Sequence, residues 1–226
     1  FYVGAEVAVG SNIVSYLKES MQMPEALAAA YLSYYWGGAM IGRFLGSVSL
    51  SNMSSGKKTA SMVLLAAAGF AVIYVINYLL HGLSFGQVVV FLAFMILNFL
   101  GFHLGKGMPS RLLAIFALLN VALICTAMLS SGTIAVWSLL AIGLFNSIMW
   151  SNVFTLAIDG LENRTAEASS ILIMMILGGA VLPPLQGMLA DTIGIRLSFI
   201  VPMISYIYLL YYGLAGYKAG KSKLAK

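Results

Sequence analysis

A chain of 226 residues with 61% hydrophobic residues, 8% charged residues and a mean hydropathy of +0.97 is outside the range of water-soluble domains, which carry roughly a quarter charged residues. The composition specifies an integral membrane protein with no nucleic-acid partner, and the net charge of +5 matters through its placement rather than its sum. The apolar runs are continuous rather than alternating, so they read as helices and not as barrel strands. A hydrocarbon core about 30 Å thick needs roughly 20 residues per helix, and only helices or closed barrels satisfy the backbone inside it.

Eight spans are expected, at roughly 1–18, 26–50, 59–80, 86–105, 111–130, 133–158, 168–190 and 197–217, bounded by turn chemistry. The first, from Phe1, is slightly short and has neither an initiator Met nor a basic leader. It reads as the start of a fragment whose upstream part is missing, not as a signal peptide. Within YVGAEVAVGSNI it carries Glu6 and Asn12, and Glu6 has no cation within a helical turn. An intramembrane carboxyl is costly and points to function, so Glu6 is a candidate to bind substrate or to take up and release a proton. In the second span, GGAMIGRFLGS holds Arg43 near one end; its guanidinium either snorkels to the interface or makes a gating contact. The third and fourth spans end at His81 and His103, both read as interfacial.

The fifth span carries Asn120 and the single Cys125, which excludes a disulfide framework. The sixth reads GLFNSIMWSNVF. Asn146, Trp150 and Phe154 share a face at four-residue spacing, and Asn152 points away from it. Amides that donate and accept, beside an aromatic ring that can stack on a pyranose, suit a sugar; hydrogen bonding between helices is the other reading. In the seventh, GGAVLPPLQG, Pro183 and Pro184 are expected to kink the helix and free carbonyls as a structural or gating element, with Gln186 a further candidate ligand. Asp191 in the following ADTIGIR is read as a loop residue. There is no His/Cys/Asp/Glu cluster for a metal, no nucleophile–base spacing and no phosphate-binding glycine loop, so an enzyme is not expected.

Placing the tail YKAGKSKLAK in the cytoplasm puts Lys57, Lys58, Lys106, Arg111, Arg164, Lys218, Lys221, Lys223 and Lys226 inside, against Lys18 and Arg196 outside. That asymmetry follows the positive-inside rule. An internal echo pairs GSNIV at residues 10–14 with WSNVF at 150–154, which sets Glu6 opposite Asn146; repeats packed about a midplane site are a transporter plan.

YVGAEVAVGS, YYWGGAMIGRFLGS, GLFNSIMWSNVFTLAIDGL and GGAVLPPLQGMLAD together resemble the carboxyl-terminal half of major facilitator superfamily sugar transporters, of the fucose permease and glucose/galactose transporter family. The resemblance runs from Phe1 through Gly213. It implies an all-α polytopic fold: the second six-helix half, with residues 59–105 as an inserted two-helix hairpin and 218–226 as a basic cytoplasmic tail. It implies secondary active transport of a monosaccharide of the glucose, galactose or fucose type by alternating access, with H+ as coupling ion and no other cofactor. The partners implied are the sugar, the bilayer of a bacterial inner membrane and the missing amino-terminal half. By the resemblance Glu6, Asn12, Asn146 and Asn152 become candidate sugar ligands, joined by Trp150 and Gln186 from their residue chemistry; Glu6 stays a proton-coupling candidate, although the family's proton-carrying acids lie in the other half. Another small solute, such as an amino sugar, is the alternative substrate.

Overall fold

The computed structural model describes residues 1–219 and is helical throughout, with no strand among them. The expected tail residues Lys221, Lys223 and Lys226 lie outside the described residues. In chain order, α1 covers Tyr2–Met21, α2 Glu25–Ser49, α3 Ser55–His81, and a short α4, Phe85–Val88, runs into α5, Val90–Gly105. Next come α6, Pro109–Leu129, then α7, Gly132–Asn146, and α8, Met149–Ile158. A 3-10 turn at Glu162–Arg164 leads to α9, Thr165–Met174, and a second at Met175–Leu177 leads to α10, Gly178–Ile193. The last helices are α11, Ile195–Ser198, and α12, Ile200–Leu214.

All eight expected spans are helical. Six segments are long and apolar enough to cross a membrane: Ser55–His81, Phe85–Gly105, Pro109–Leu129, Gly132–Ile158, Glu162–Ile193 and Ile195–Leu214. Their ends carry ordinary stop and start signals. Gln22 and Lys106 adopt the left-handed conformation that closes α1 and α5, and Gly82 does so for α3. Pro109 opens α6 at its first turn, where its fixed φ fits and its missing N–H has no helical partner to lose. Asp191, read as a loop residue, lies instead in the last turn of α10, which continues to Ile193.

The bundle is built on three close pairs, α6 with α12, α1 with α10 and α2 with α7. The α2–α7 contact is close for a steric reason. A Cβ on Gly143 of α7 would strike the Tyr35 carbonyl of α2, and one on Gly42 of α2 would strike the Ser147 side chain. Small residues let two helix backbones approach closely, which is how membrane helices gain packing energy without a hydrophobic driving force. The α7–α8 segment is accordingly the core of the bundle, with every residue from Ala135 to Met149 buried. The residues of Glu162–Ile193 are the reverse: Gln186 alone among those described is buried.

The α3 and α4–α5 helices pack on the rest of the bundle as well as on each other. α3 packs along α2, and α5 packs against α6 and α7. Contacts between the two run through aromatic rings, with Phe70 facing Phe91 and Phe85 at ring-centroid distances of 6.4 Å.

Two helix irregularities differ from expectation. Pro183 and Pro184 do not interrupt α10, which is helical through both. The break in that segment lies upstream at Met175–Leu177. The expected continuous sixth span is two helices, broken at Ser147–Ile148. The carbonyls ahead of this break are capped by side chains from elsewhere: Asn98 of α5 donates Nδ2–H to the Leu144 carbonyl at 3.0 Å, and the Tyr2 hydroxyl donates to the Asn146 carbonyl at 2.7 Å. An interrupted helix at membrane depth survives only when its freed backbone groups find such partners.

Candidate functional site

The break places two sets of polar groups on opposite sides of α7–α8. On the core side, Asn146 is fully buried and every hydrogen-bonding atom of its side chain is used. Its Oδ1 accepts from Asn120 Nδ2 and from the Tyr206 hydroxyl, each at 2.9 Å, and its Nδ2 donates to the Tyr35 hydroxyl at 3.0 Å. The Tyr35 hydroxyl in turn donates to the Glu6 backbone carbonyl at 2.7 Å. One phenol therefore bridges Glu6 and Asn146, the two residues that the internal sequence echo sets opposite each other.

On the other side, α1, α2 and α8 enclose a cavity of about 390 Å³, whose polar lining includes Glu6, Arg43, Ser147, Ser151 and Asn152, with Trp150 as an aromatic wall. Glu6 is 8% exposed and is the one carboxylate in the described lining. Its Oε1 lies 3.4 Å from Arg43 Nη2. The cation that Glu6 lacks within a turn of its own helix comes from α2, nearly two turns before that helix ends. The Arg43 side chain itself stays more than half exposed while it reaches the α1 carboxylate.

Two buried groups on this wall have no hydrogen-bond partner among the described residues, the Ser147 hydroxyl and the Asn152 Nδ2. Buried polar groups are nearly always paired, and leaving one unmade costs about 1–3 kcal/mol. Trp150 stands between this cavity and a larger, mainly apolar one of about 490 Å³, which is lined also by Val181 and Leu182 of α10 and by Tyr208 and Tyr212 of α12. Its ring lies nearly parallel to Tyr2, with centroids 6.3 Å apart, and 6.2 Å from Phe154.

The structure thus brings together Glu6, Arg43, Trp150 and Asn152, and sets Asn146 directly behind them as their support. The face expected from four-residue spacing is altered by the break. Trp150 and Phe154 stay neighbours, Asn146 turns into the core, and Asn152, expected to point away, joins Trp150 on the cavity wall. Asn12 and Gln186 are elsewhere. Asn12 donates back to the Ala8 carbonyl at 2.8 Å, and Gln186 is buried against α11, with Nε2 at 3.4 Å from Ser198 Oγ. Pro183 and Pro184 follow directly after Leu182, a lining residue of the apolar cavity, and do not line it themselves. Sequence reasoning missed Ser147, Tyr2 and Tyr35. The first two line the cavity and Tyr35 supports it, but none departs from ordinary span composition.

This architecture is a membrane-embedded helical bundle with a polar cavity beside an interrupted helix, and its fold is that of the major facilitator superfamily. It superimposes on the crystal structure of the major facilitator superfamily transporter FucP in the outward conformation with a TM-score of 0.61 and 22% identity, over 94% of this chain and 39% of that one. No known family's sequence profile matches the chain. Individual proteins do: the chain is 36% identical over 220 residues to a glucose/galactose transporter of Brucella abortus, covering 96% of this chain and 40% of that protein. It is 32% identical to a putative glucose/galactose transporter of Helicobacter pylori, again over 96% of this chain and 42% of the relative. An L-fucose-proton symporter of Haemophilus influenzae is 29% identical over 113 residues, 47% of this chain and 26% of the symporter. The chain is homologous to transporters of the glucose/galactose and fucose type, and spans about 40% of the length of the glucose/galactose relatives it matches.

Proposed function

We propose that the chain forms the carboxyl-terminal half of a monosaccharide transporter of the glucose, galactose or fucose type, working by alternating access and coupled to H+. In this reading it lies in a bacterial inner membrane with its carboxyl terminus in the cytoplasm, α3 to α5 are an insertion into the six-helix half, and an amino-terminal half completes the cavity. The relatives named glucose/galactose transporter and L-fucose-proton symporter support the substrate class and the coupling ion.

The observation that carries the site assignment is the pairing of chemistry in one cavity: an ion-paired carboxylate, two buried hydrogen-bonding groups without partners, and an indole wall. A pyranose presents several hydroxyls that each donate and accept, and it has an apolar face. Glu6 accepts from such hydroxyls, Asn152 Nδ2 donates to a ring or hydroxyl oxygen, Ser147 does either, and Trp150 stacks on the apolar face. A cavity of this size is at the small end of ligand sites, which suits a monosaccharide. Arg43 already balances the Glu6 charge, so a neutral sugar fits better than an amino sugar, whose ammonium would meet a guanidinium. Glu6 is also the proton-coupling candidate, because protonating it would break its contact with Arg43 and alter the cavity wall. Asn146 acts from behind by holding Tyr2, Tyr35 and the helix break in place. Asn12 and Gln186 are secondary candidates, and Pro183 and Pro184 stiffen the α10 wall that moves against α1.

The test is uptake and binding by the full-length protein in proteoliposomes. Glu6→Gln is expected to weaken sugar binding at least tenfold and to change the pH dependence of uptake, whereas Asn12→Ala stays within twofold of the parent. Unchanged binding and uptake in Glu6→Gln would remove the assignment.

A further inference from the structure

A second polar cavity, also about 390 Å³, lies at the end of the bundle where α2 finishes, α3 begins and α5 finishes, and its polar lining includes Ser49, Lys58, Thr59, His103 and Lys106. No carboxylate is among its described lining residues. Lys58 Nζ donates one hydrogen to the Ser49 carbonyl at 2.8 Å, which fixes the ammonium at the rim and leaves two donors. Lys106 forms neither of the ion pairs found among the described residues. Its backbone is left-handed, with φ of 50°, and Gly107 follows at 68°; both residues of this double turn line the cavity. The His103 ring lies 4.6 Å from Phe99 with Nδ1 facing the Phe99 carbonyl at 3.3 Å, so Nε2 is the nitrogen left for a ligand. The first turn of α3 opens here through Ser55, with no side-chain cap on its N–H groups, and a helix start adds partial positive charge.

Beneath this basic rim the lining turns apolar at Met62 and Phe102. Below the rim along α5, Leu104, Leu100 and Ile96 follow at four-residue spacing, each at least half exposed. A cationic rim at the end of apolar helices, above an exposed aliphatic strip, matches one kind of molecule: a phosphate anion attached to acyl chains. A free phosphate would have no use for the strip, and a neutral headgroup would leave the ammonium groups unpaired. Lys and Arg near a membrane surface draw anionic lipids by the same electrostatics.

We propose that this cavity binds the headgroup phosphate of an acidic phospholipid, held by Lys58 and Lys106, with its acyl chain along Leu104, Leu100 and Ile96. The site is independent of the sugar cavity, since it shares only Leu50 with that lining. Its consequence is that the α3–α5 segment ties the bundle to anionic lipid.

The experiment uses full-length protein in detergent, titrated with phosphatidylglycerol, phosphatidylcholine or inorganic phosphate, and read by native mass spectrometry and thermal unfolding. Phosphatidylglycerol is expected to stay bound and raise the melting temperature, while phosphatidylcholine and inorganic phosphate do neither. Lys58→Gln with Lys106→Gln should weaken retention at least tenfold, and Lys106→Gln alone, which breaks no internal contact, severalfold. Lys57→Gln, an exposed neighbour outside the lining, should retain the parent response. Equal phosphatidylglycerol retention in Lys106→Gln and the parent overturns the site. A melting shift reproduced by inorganic phosphate at the same concentration overturns the lipid assignment in favour of a soluble anion.

Discussion

Asn146 and Asn152 are six residues apart in one apolar segment and are both buried, yet they do opposite things. Asn146 sits where α7 ends, and its amide is saturated by Asn120, Tyr206 and Tyr35. Asn152 sits one turn beyond the break, and its Nδ2 has no partner among the described residues. In the proposed site, stability resides in the first and recognition in the second, because a saturated group has nothing left to offer a ligand while an unsatisfied one is destabilising until a ligand arrives. Residue type and depth are the same for both; the partners decide.

Substitutions on the two sides should separate cleanly. The largest effect is expected from Gly143→Val, because any Cβ meets the Tyr35 carbonyl; overpacking costs about 1–3 kcal/mol or more, and here it also pushes Tyr35 off Glu6 and Asn146. Thermal unfolding in detergent and the yield of folded protein measure it. Asn146→Leu follows. It strands three buried partners, and with interhelical hydrogen bonds in membranes averaging about 0.6 kcal/mol each the loss should be about 2 kcal/mol, with binding falling only as far as the cavity distorts. Asn152→Ala should invert this pattern: unfolding within about 0.5 kcal/mol of the parent, but sugar affinity lower about tenfold, equivalent to about 1.4 kcal/mol. A stability loss in Asn152→Ala as large as that in Asn146→Leu would erase the distinction. Asn98→Leu lies between. It removes the cap on the Leu144 carbonyl and should cost about 1 kcal/mol, with weaker sugar binding but no direct ligand contact.

The smallest effect belongs to Lys18 and Glu25 at the turn between α1 and α2, paired at 2.9 Å on the exposed surface. Lys18 holds the Glu25 carboxyl below the usual carboxylate range. A depressed folded-state value stabilises above the unfolded carboxylate pKa and is lost as pH falls through the lower folded value. Solvent screening makes exposed pairs nearly neutral, so Glu25→Gln should leave the unfolding profile from neutral to acidic pH unchanged within error.

Much of the fold was legible in the residues because hydropathy reports membrane spans directly. The expected span at roughly 86–105 emerges as Phe85–Gly105, and that at roughly 111–130 as Pro109–Leu129. Contacts between spans were not legible. Glu6 and Arg43 are 37 positions apart and meet only through the register of α1 on α2, which no local spacing encodes. The break at Ser147–Ile148 carries no proline or glycine. It is sustained by Asn98 and Tyr2 from distant helices, so the face expected for Asn146, Trp150 and Phe154, with Asn152 pointing away, is not the one that forms there. In α10 the opposite happened: Pro183 and Pro184 signal a break, but their helix stays regular and the irregular turn forms upstream.

The central claim is that sugar occupies the cavity between Glu6 and Asn152. Ser151 is exposed on that wall, so a Ser151→Cys substitution in the full-length protein with every native cysteine, Cys125 included, replaced by Ser gives a single reporter thiol. Saturating glucose or galactose should slow its alkylation about tenfold, and Asn152→Ala should abolish that protection at the same sugar concentration. Alkylation at the same rate with and without sugar, in protein that still binds the sugar, would contradict the assignment.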